Sequence, residues 1–170
     1  MERILIIGCS GSGKTTLARK LGEKLKLPVV HLDRLWWTGN WENVTREEFD
    51  ARLSEELEKP RWIIDGNYNR TMPQRLEKCD TVIYLDFNRF VCLWGAVKRV
   101  IRGYGKTRPD MGGNCPERFE PEFLHWIWNY NKNNRKENYR RLRETEGIQV
   151  YVLKNGRTVR KFLEQIPCTR

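Results

Sequence analysis

Residues 8 to 15 read Gly8-Cys9-Ser10-Gly11-Ser12-Gly13-Lys14-Thr15, a match to G-x-x-x-x-G-K-[ST], with a second threonine, Thr16, directly behind. What such a stretch can do is hold a chain of phosphates. Gly8, Gly11 and Gly13 let the backbone fold tightly, so that N–H groups along Cys9, Ser10 and Ser12 converge as an anion nest. A helix beginning at Lys14 adds its own free N–H groups and the positive end of its dipole. Lys14 reaches the β- and γ-phosphates, and the Thr15 hydroxyl ligates Mg²⁺. Cys9 is a small filler within the loop and not a nucleophile, because no base stands beside it in the sequence. The cofactors expected from residues 8–16 are ATP and Mg²⁺.

The elements around this loop are of the kind it needs. Ile4-Leu5-Ile6-Ile7 before it is a buried-strand run, and Leu17, Leu21 and Leu25 after it keep a helical spacing. Pro28 ends that helix, and Val29-Val30-His31-Leu32 reads as a second strand with Asp33 at its end, where ligands gather in open α/β sheets. Asp33 reads equally as a turn residue and as a carboxylate that orders Mg²⁺-bound water or accepts the proton of an attacking hydroxyl. Trp36, Trp37 and Trp41 follow. Such rings pack loops onto cores, or wall an acceptor pocket, the role expected of Trp37. Thr45 and Glu48 form a capping-box pair ahead of a helix marked by Phe49, Leu53 and Leu57. Residues 61–64 and 81–85 are the third and fourth strands, ending near Asp65 and Asp86, and residues 148–153 are the fifth. Strand and helix alternate throughout, which predicts one three-layer α/β domain over residues 1–170 with a five-stranded parallel sheet.

From Asn88 a helix is expected through Cys92, Val97 and Ile101, with a basic end carrying Arg99 and Arg102. Gly103, Gly105, Pro109, Gly112 and Gly113 then make a stretch that reads as irregular and mobile. A glycine-punctuated basic stretch fits a short lid, about 102–118, bringing Arg99 and Arg102 onto a phosphoryl group in transfer; the alternative is a solvated basic face or a surface for nucleic acid. Residues 121–144 read as a long helix, aromatic at its start and basic at its end, where Arg135 reads equally as part of a solvated face and as a further phosphate clamp.

Composition narrows the class without choosing a partner. The net charge of +10 and pI of about 9.6 favour anionic partners. Five scattered cysteines, at 9, 79, 92, 115 and 168, make no C-x-x-C pair and fit a reducing compartment. The first apolar run stops at Gly8, too short for a signal peptide, and no run has the length of a membrane span. A cytoplasmic location and no membrane partner are the expectation.

Trp62-Ile63-Ile64-Asp65-Gly66-Asn67-Tyr68-Asn69-Arg70-Thr71-Met72-Pro73-Gln74 resembles the adenylate-kinase segment in which a strand ends in Asp-Gly ahead of an arginine, a threonine and Pro-Gln. The resemblance implies that Asp65 acts near Mg²⁺ and that Arg70 binds the acceptor. Asn67-Tyr68-Asn69 stands where that family has Phe-Pro, which leaves the acceptor open. Together with the loop, His31-Leu32-Asp33-Arg34-Leu35-Trp36-Trp37 and Asp65-Gly66-Asn67-Tyr68 are similar to the adenylate-kinase-related group known as DNA topology modulation proteins. It implies a P-loop NTPase fold of the adenylate-kinase/shikimate-kinase kind, strand order 2-3-1-4-5, and adenine against residues 154–156. By spacing alone Val82 to Asp86 is a Walker B pattern that makes Asp86 the Mg²⁺-linked carboxylate; the resemblance prefers Asp65. The function expected is transfer of phosphate from Mg-ATP to a small acceptor. The alternative is a regulatory protein that uses ATP as a switch and acts on nucleic acid, although no helix-turn-helix, zinc-finger or RNA-binding signature is present.

Overall fold

The computed structural model describes residues 1–167, so Cys168 lies outside the described residues. The chain runs β1 (Arg3–Gly8), α1 (Lys14–Leu25), β2 (Val29–His31), α2 (Leu32–Trp36), β3 (Trp37–Gly39), β4 (Glu42–Asn43), α3 (Arg46–Leu57) and β5 (Trp62–Asp65). A 3₁₀ turn at Asn69–Thr71 leads into α4 (Met72–Lys78), then β6 (Thr81–Leu85), α5 (Arg89–Gly103), α6 (Pro121–Glu144), β7 (Gln149–Leu153) and α7 (Gly156–Gln165). Strands β2-β5-β1-β6-β7 form one parallel sheet, which is the expected order 2-3-1-4-5 counted over its own strands. Among the described residues no helix is long and apolar enough to cross a membrane.

The strands are apolar on both faces, as a sheet covered on both sides requires. Ile4, Ile6, Ile63, Ile83 and Leu85 join α1, α5, the start of α6 and α7 in one core. Leu5, Ile7, Ile64, Val82 and Tyr84 join α3, α4 and the end of α6 in the other. The period of two along each strand thus builds three layers.

The caps follow local chemistry. Thr45 accepts from the Glu48 N–H, but the Glu48 carboxylate pairs with Arg52 instead of completing a capping box. Asn88 accepts from the Phe90 N–H and opens α5. The second strand is shorter than expected: Leu32 and Asp33 begin the short α2, whose Leu32 is buried against the sheet. The β3–β4 hairpin was not legible from periodicity, since it is held by a two-residue turn at Asn40 and Trp41, with φ of +48° and +61°.

Asp80 ties the sheet together at its other end. Its Oδ2 accepts the N–H groups of Glu2 and Arg3, each at 2.8 Å, and its Oδ1 accepts the Thr81 hydroxyl at 2.6 Å. Partial burial raises its pKa, but the hydrogen bonds from Thr81, Glu2 and Arg3 outweigh that and hold it below the usual 3.8. A depressed folded pKa gives stability that is present above the unfolded value and lost as pH falls through the folded one. Asp80→Asn should therefore cost about 1 kcal/mol at pH 7, with the gap to wild type closing below pH 3.8. Urea midpoints of the two proteins across that range check it.

Candidate functional site

The phosphate-binding pattern lies between β1 and α1, and its glycines are there for stated reasons. Gly11 and Gly13 have φ of +78° and +91°, values that favour glycine. No side chain caps α1 and its first turn holds no acid, so its leading N–H groups stay available to an anion. A Cβ on Gly13 would meet nothing within 4 Å, which leaves open space over the loop. A Cβ on Gly11 would stand 2.0 Å from the Cys92 carbonyl, and one on Gly95 would stand 2.1 Å from the Gly11 carbonyl. Helix α5 thus packs backbone against backbone on the loop and sets its shape. Gly95→Ala should cost about 2 kcal/mol and weaken Mg-ATP binding, because either the loop or α5 must shift. Gly156→Ala, where a Cβ meets open space, is the neutral comparison in urea melts and nucleotide titrations.

Four side chains, Lys14, Thr15, His31 and Asp65, meet at the end of the loop. Thr15 Oγ1 donates to Asp65 Oδ2 at 2.9 Å. Asp65 Oδ1 lies 2.5 Å from His31 Nδ1. Lys14 Nζ donates to the Cys9 carbonyl at 3.0 Å; burial lowers its pKa below 10.5, against the pull of Asp65. For His31, burial opposes charge, but the hydrogen bond to Asp65 and that carboxylate's charge win and raise the imidazole above 6.5. A hydroxyl beside a buried carboxylate is a hard-oxygen donor pair of the sort Mg²⁺ takes together with phosphate oxygens and water. The open amides, Lys14 and this pair fit a magnesium–nucleotide.

These residues floor a cavity of about 1100 Å³. One end is bounded by His31, Asp33, Trp37, Trp41, Asn67 and Tyr68. The other end is apolar, bounded by Val97, Val100, Ile101, Phe123, Leu124 and Trp126. Phe123 and Trp126 stack there with centroids 5.8 Å apart. At the first end the Tyr68 hydroxyl donates to Asp33 Oδ1 at 2.9 Å. Burial raises the Asp33 pKa, against the hydrogen bond from Tyr68 and the charge of Arg108. Trp37 and Trp41 meet edge to face at 5.4 Å, while Trp36 turns into the core against Phe49 and Tyr68.

The irregular segment at 104–120 closes the cavity's third side. Gly112 and Gly113 sit where a Cβ would lie 1.8 Å from the Trp37 carbonyl and 1.9 Å from the Thr38 carbonyl. Asn40 N–H donates to the Asn114 carbonyl at 2.6 Å, and Trp41 Nε1 to the Pro116 carbonyl at 3.1 Å. These two glycines, expected to mark mobility, allow close docking on the β3–β4 hairpin. Asp110 reaches inward, with Oδ2 3.5 Å from Thr15 Oγ1 and 2.7 Å from Arg108 Nη1.

Of the residues singled out by sequence, Ser10, Gly11, Gly13, Lys14, Thr15, Thr16, Asp33, Trp37, Asp65 and Arg99 line this one cavity. Arg99 Nη1 lies 3.4 Å from Ser10 Oγ, and its Nε lies 3.1 Å from Glu117 Oε1. Arg102 is not among the cavity-lining residues: the packed face of α5 runs through Cys92, Ala96, Arg99 and Gly103, and Arg102 is exposed off that face. Arg70 is not among them either. Its guanidinium forks onto Asp50 at 2.8 and 2.6 Å, both side chains exposed, beside a separate recess of about 310 Å³. Asp86 is bound by Arg135 at 2.8 Å and by the Tyr139 hydroxyl at 2.9 Å under α6, away from the cavity lining. Arg135 is thereby committed to Asp86. Asn155 caps α7 through the Thr158 N–H, so residues 154–156 also fall outside the cavity.

Sequence reasoning missed two residues that shape the site. Asn67 binds both backbone groups of Gly8, accepting its N–H at 3.1 Å and donating to its carbonyl at 2.7 Å. Arg75 is fully buried, and its guanidinium donates to the carbonyls of Thr71 at 3.3 Å, Gly66 at 3.0 Å and Tyr68 at 2.8 Å, and also to Asn67. Burial lowers its pKa to about 9. The signal available was an arginine inside an otherwise amphipathic α4, which reads as a solvated face.

A family model described as an AAA domain matches residues 4–94. No curated protein matches the sequence. Among solved structures, shikimate kinase from Acinetobacter baumannii in complex with shikimate superposes with a TM-score of 0.58 at 19% identity, over 98% of this chain and 90% of that one. Shikimate kinase from Bacteroides thetaiotaomicron gives 0.56 at 16% identity, over 96% and 95% of the two chains. At such identities the likeness speaks for the fold, the three-layer P-loop arrangement described above.

Proposed function

The chain belongs to the AAA-domain family, and on that premise we propose that it transfers the terminal phosphate of Mg-ATP to a small-molecule acceptor. The observation that carries the reading is the convergence of Lys14, Thr15 and Asp65 on the floor of one cavity with two unlike ends. The open amides of Gly11 and residues 13–15, with Lys14, would hold the phosphates, and Thr15 with Asp65 would hold the metal, while the Ser12 N–H closes the loop on the Cys9 carbonyl. Mg²⁺, when bound, supplies positive charge against the phosphate oxygens. The apolar end, with stacked Phe123 and Trp126, suits the nucleotide base. The end at Asp33 suits the acceptor. Asp33 orients its hydroxyl and takes the proton, and Arg99 neutralises charge that grows on the phosphoryl oxygens. The docked 104–120 segment excludes water.

The nucleic-acid alternative gains no specific support. On α6, Arg140 pairs with Glu137 and Glu144, Arg141 with Glu137, and Arg135 with Asp86. Those cations form a self-paired helix face. ADP release from Mg-ATP, measured with a panel of small acceptors and with short DNA, tests the reading. Stimulation by a small acceptor supports phosphotransfer. A response to DNA alone would displace it in favour of a regulatory ATPase.

A further inference from the structure

The two ends of the cavity differ in charge as well as in shape. The end beneath the tryptophan hairpin offers acceptors of hydrogen bonds. Asp33 and Asp65 both face it, and Tyr68 already spends its proton on Asp33. Most of the cations within reach of that end already hold other partners, and Arg19, which also lines the cavity, stands on α1 behind the phosphate loop. Arg70 is forked onto Asp50 outside the cavity. Arg75 is buried among backbone carbonyls. Arg108 binds Asp110 and Glu117, and Arg118 lies over the Trp41 ring and pairs with Glu120. Lys14, half-buried at the loop itself, is claimed by the donor nucleotide.

We propose that the acceptor is an uncharged polyhydroxy compound, and that the site discriminates against its phosphorylated counterpart. This rests on the phosphotransfer reading above. A hydroxyl donates to a carboxylate, whereas a phosphate dianion brings only acceptor oxygens and like charge. The Trp37 and Trp41 rings supply an apolar wall for the flat or C–H-rich face that sugars, cyclitols and nucleosides share. In the transfer, the acceptor oxygen bonds to the γ-phosphorus as the β–γ bridging P–O bond breaks. ADP leaves with that electron pair, and the hydroxyl proton passes to Asp33 and then to solvent.

Matched pairs differing only in a phosphate test this. Adenosine and AMP, uridine and UMP, glucose and glucose 6-phosphate, and inositol and inositol phosphate would each be added to protein and saturating Mg-ATP. Mg-ATP binding would be measured separately by calorimetry. The expected result is that at least one uncharged member raises ADP formation and that its phosphorylated partner is about 100-fold less effective in kcat/KM. Asp33→Asn should lower kcat/KM for that uncharged member at least about 100-fold, through kcat as well as KM, and leave KM for ATP near wild type. A phosphorylated member that equals or exceeds its partner overturns the inference and leaves phosphotransfer standing. So does a protein that binds Mg-ATP and responds to no uncharged member. Failure to bind Mg-ATP at all would instead overturn the phosphotransfer reading beneath it.

Discussion

Lys14→Ala should lower acceptor-dependent ADP formation by about 10³-fold or more while the protein keeps its fold. At the end of the phosphate loop Nζ donates to a backbone carbonyl, Cys9, and among the described residues it pairs with no carboxylate. It is therefore the charge that can turn to the nucleotide without breaking an ion pair. Burial already disfavours its ammonium form in the free protein. Removing it relieves that cost and forfeits a single hydrogen bond. The two changes nearly cancel, so the thermal midpoint should stay within about 3 °C of wild type. Coupled ADP release and a thermal melt on the same preparation check both halves. Turnover above a tenth of wild type would remove Lys14 from the mechanism, and with it the main support for phosphotransfer.

Arg75→Ala should have the larger effect on stability, about 3–5 kcal/mol. The side chain is completely buried, yet among the described residues it has no carboxylate within hydrogen-bonding reach. Its guanidinium instead gathers the carbonyls of residues 66–68 and 71, which turn the chain sharply after β5. Alanine leaves those carbonyls unpaired around a cavity. In a chain of this size the loss amounts to about 10 °C or more in melting temperature. Arg75→Lys should recover little, since an ammonium cannot span several carbonyls with a planar fork. The same turn holds Asn67 on Gly8 and Tyr68 on Asp33, so activity should fall with stability. Urea unfolding monitored by tryptophan fluorescence gives the number. A drop of less than about 1 kcal/mol would show that water satisfies those carbonyls and that Arg75 does not organise the turn.

The division between what could be read and what could not follows the range of the interactions. Gly8 to Thr15 carry their meaning in consecutive residues, because an anion nest is built from adjacent amides and a helix start. The alternation of Ile4, Leu5, Ile6 and Ile7 between two cores, the caps at Thr45 and Asn88, and the parallel sheet are likewise local or periodic. Spacing alone favoured Asp86 and the resemblance favoured Asp65, since each ends a strand beside β1. Only the packing of α6, which brings Arg135 and Tyr139 over Asp86, leaves Asp65 facing Thr15. Arg70 looked suited to an acceptor until α3 placed Asp50 within reach of both its terminal nitrogens. Gly112 and Gly113 looked mobile until the β3–β4 hairpin filled the space where side chains would have been. By itself the sequence determined that this chain folds as a P-loop α/β domain and where a phosphate chain would lie, because those properties depend on neighbours along the backbone. The tertiary structure decided which carboxylate meets the threonine, which arginines remain at the cavity and how its two ends differ, because charge pairing and desolvation depend on groups far apart in sequence that meet only when the layers close.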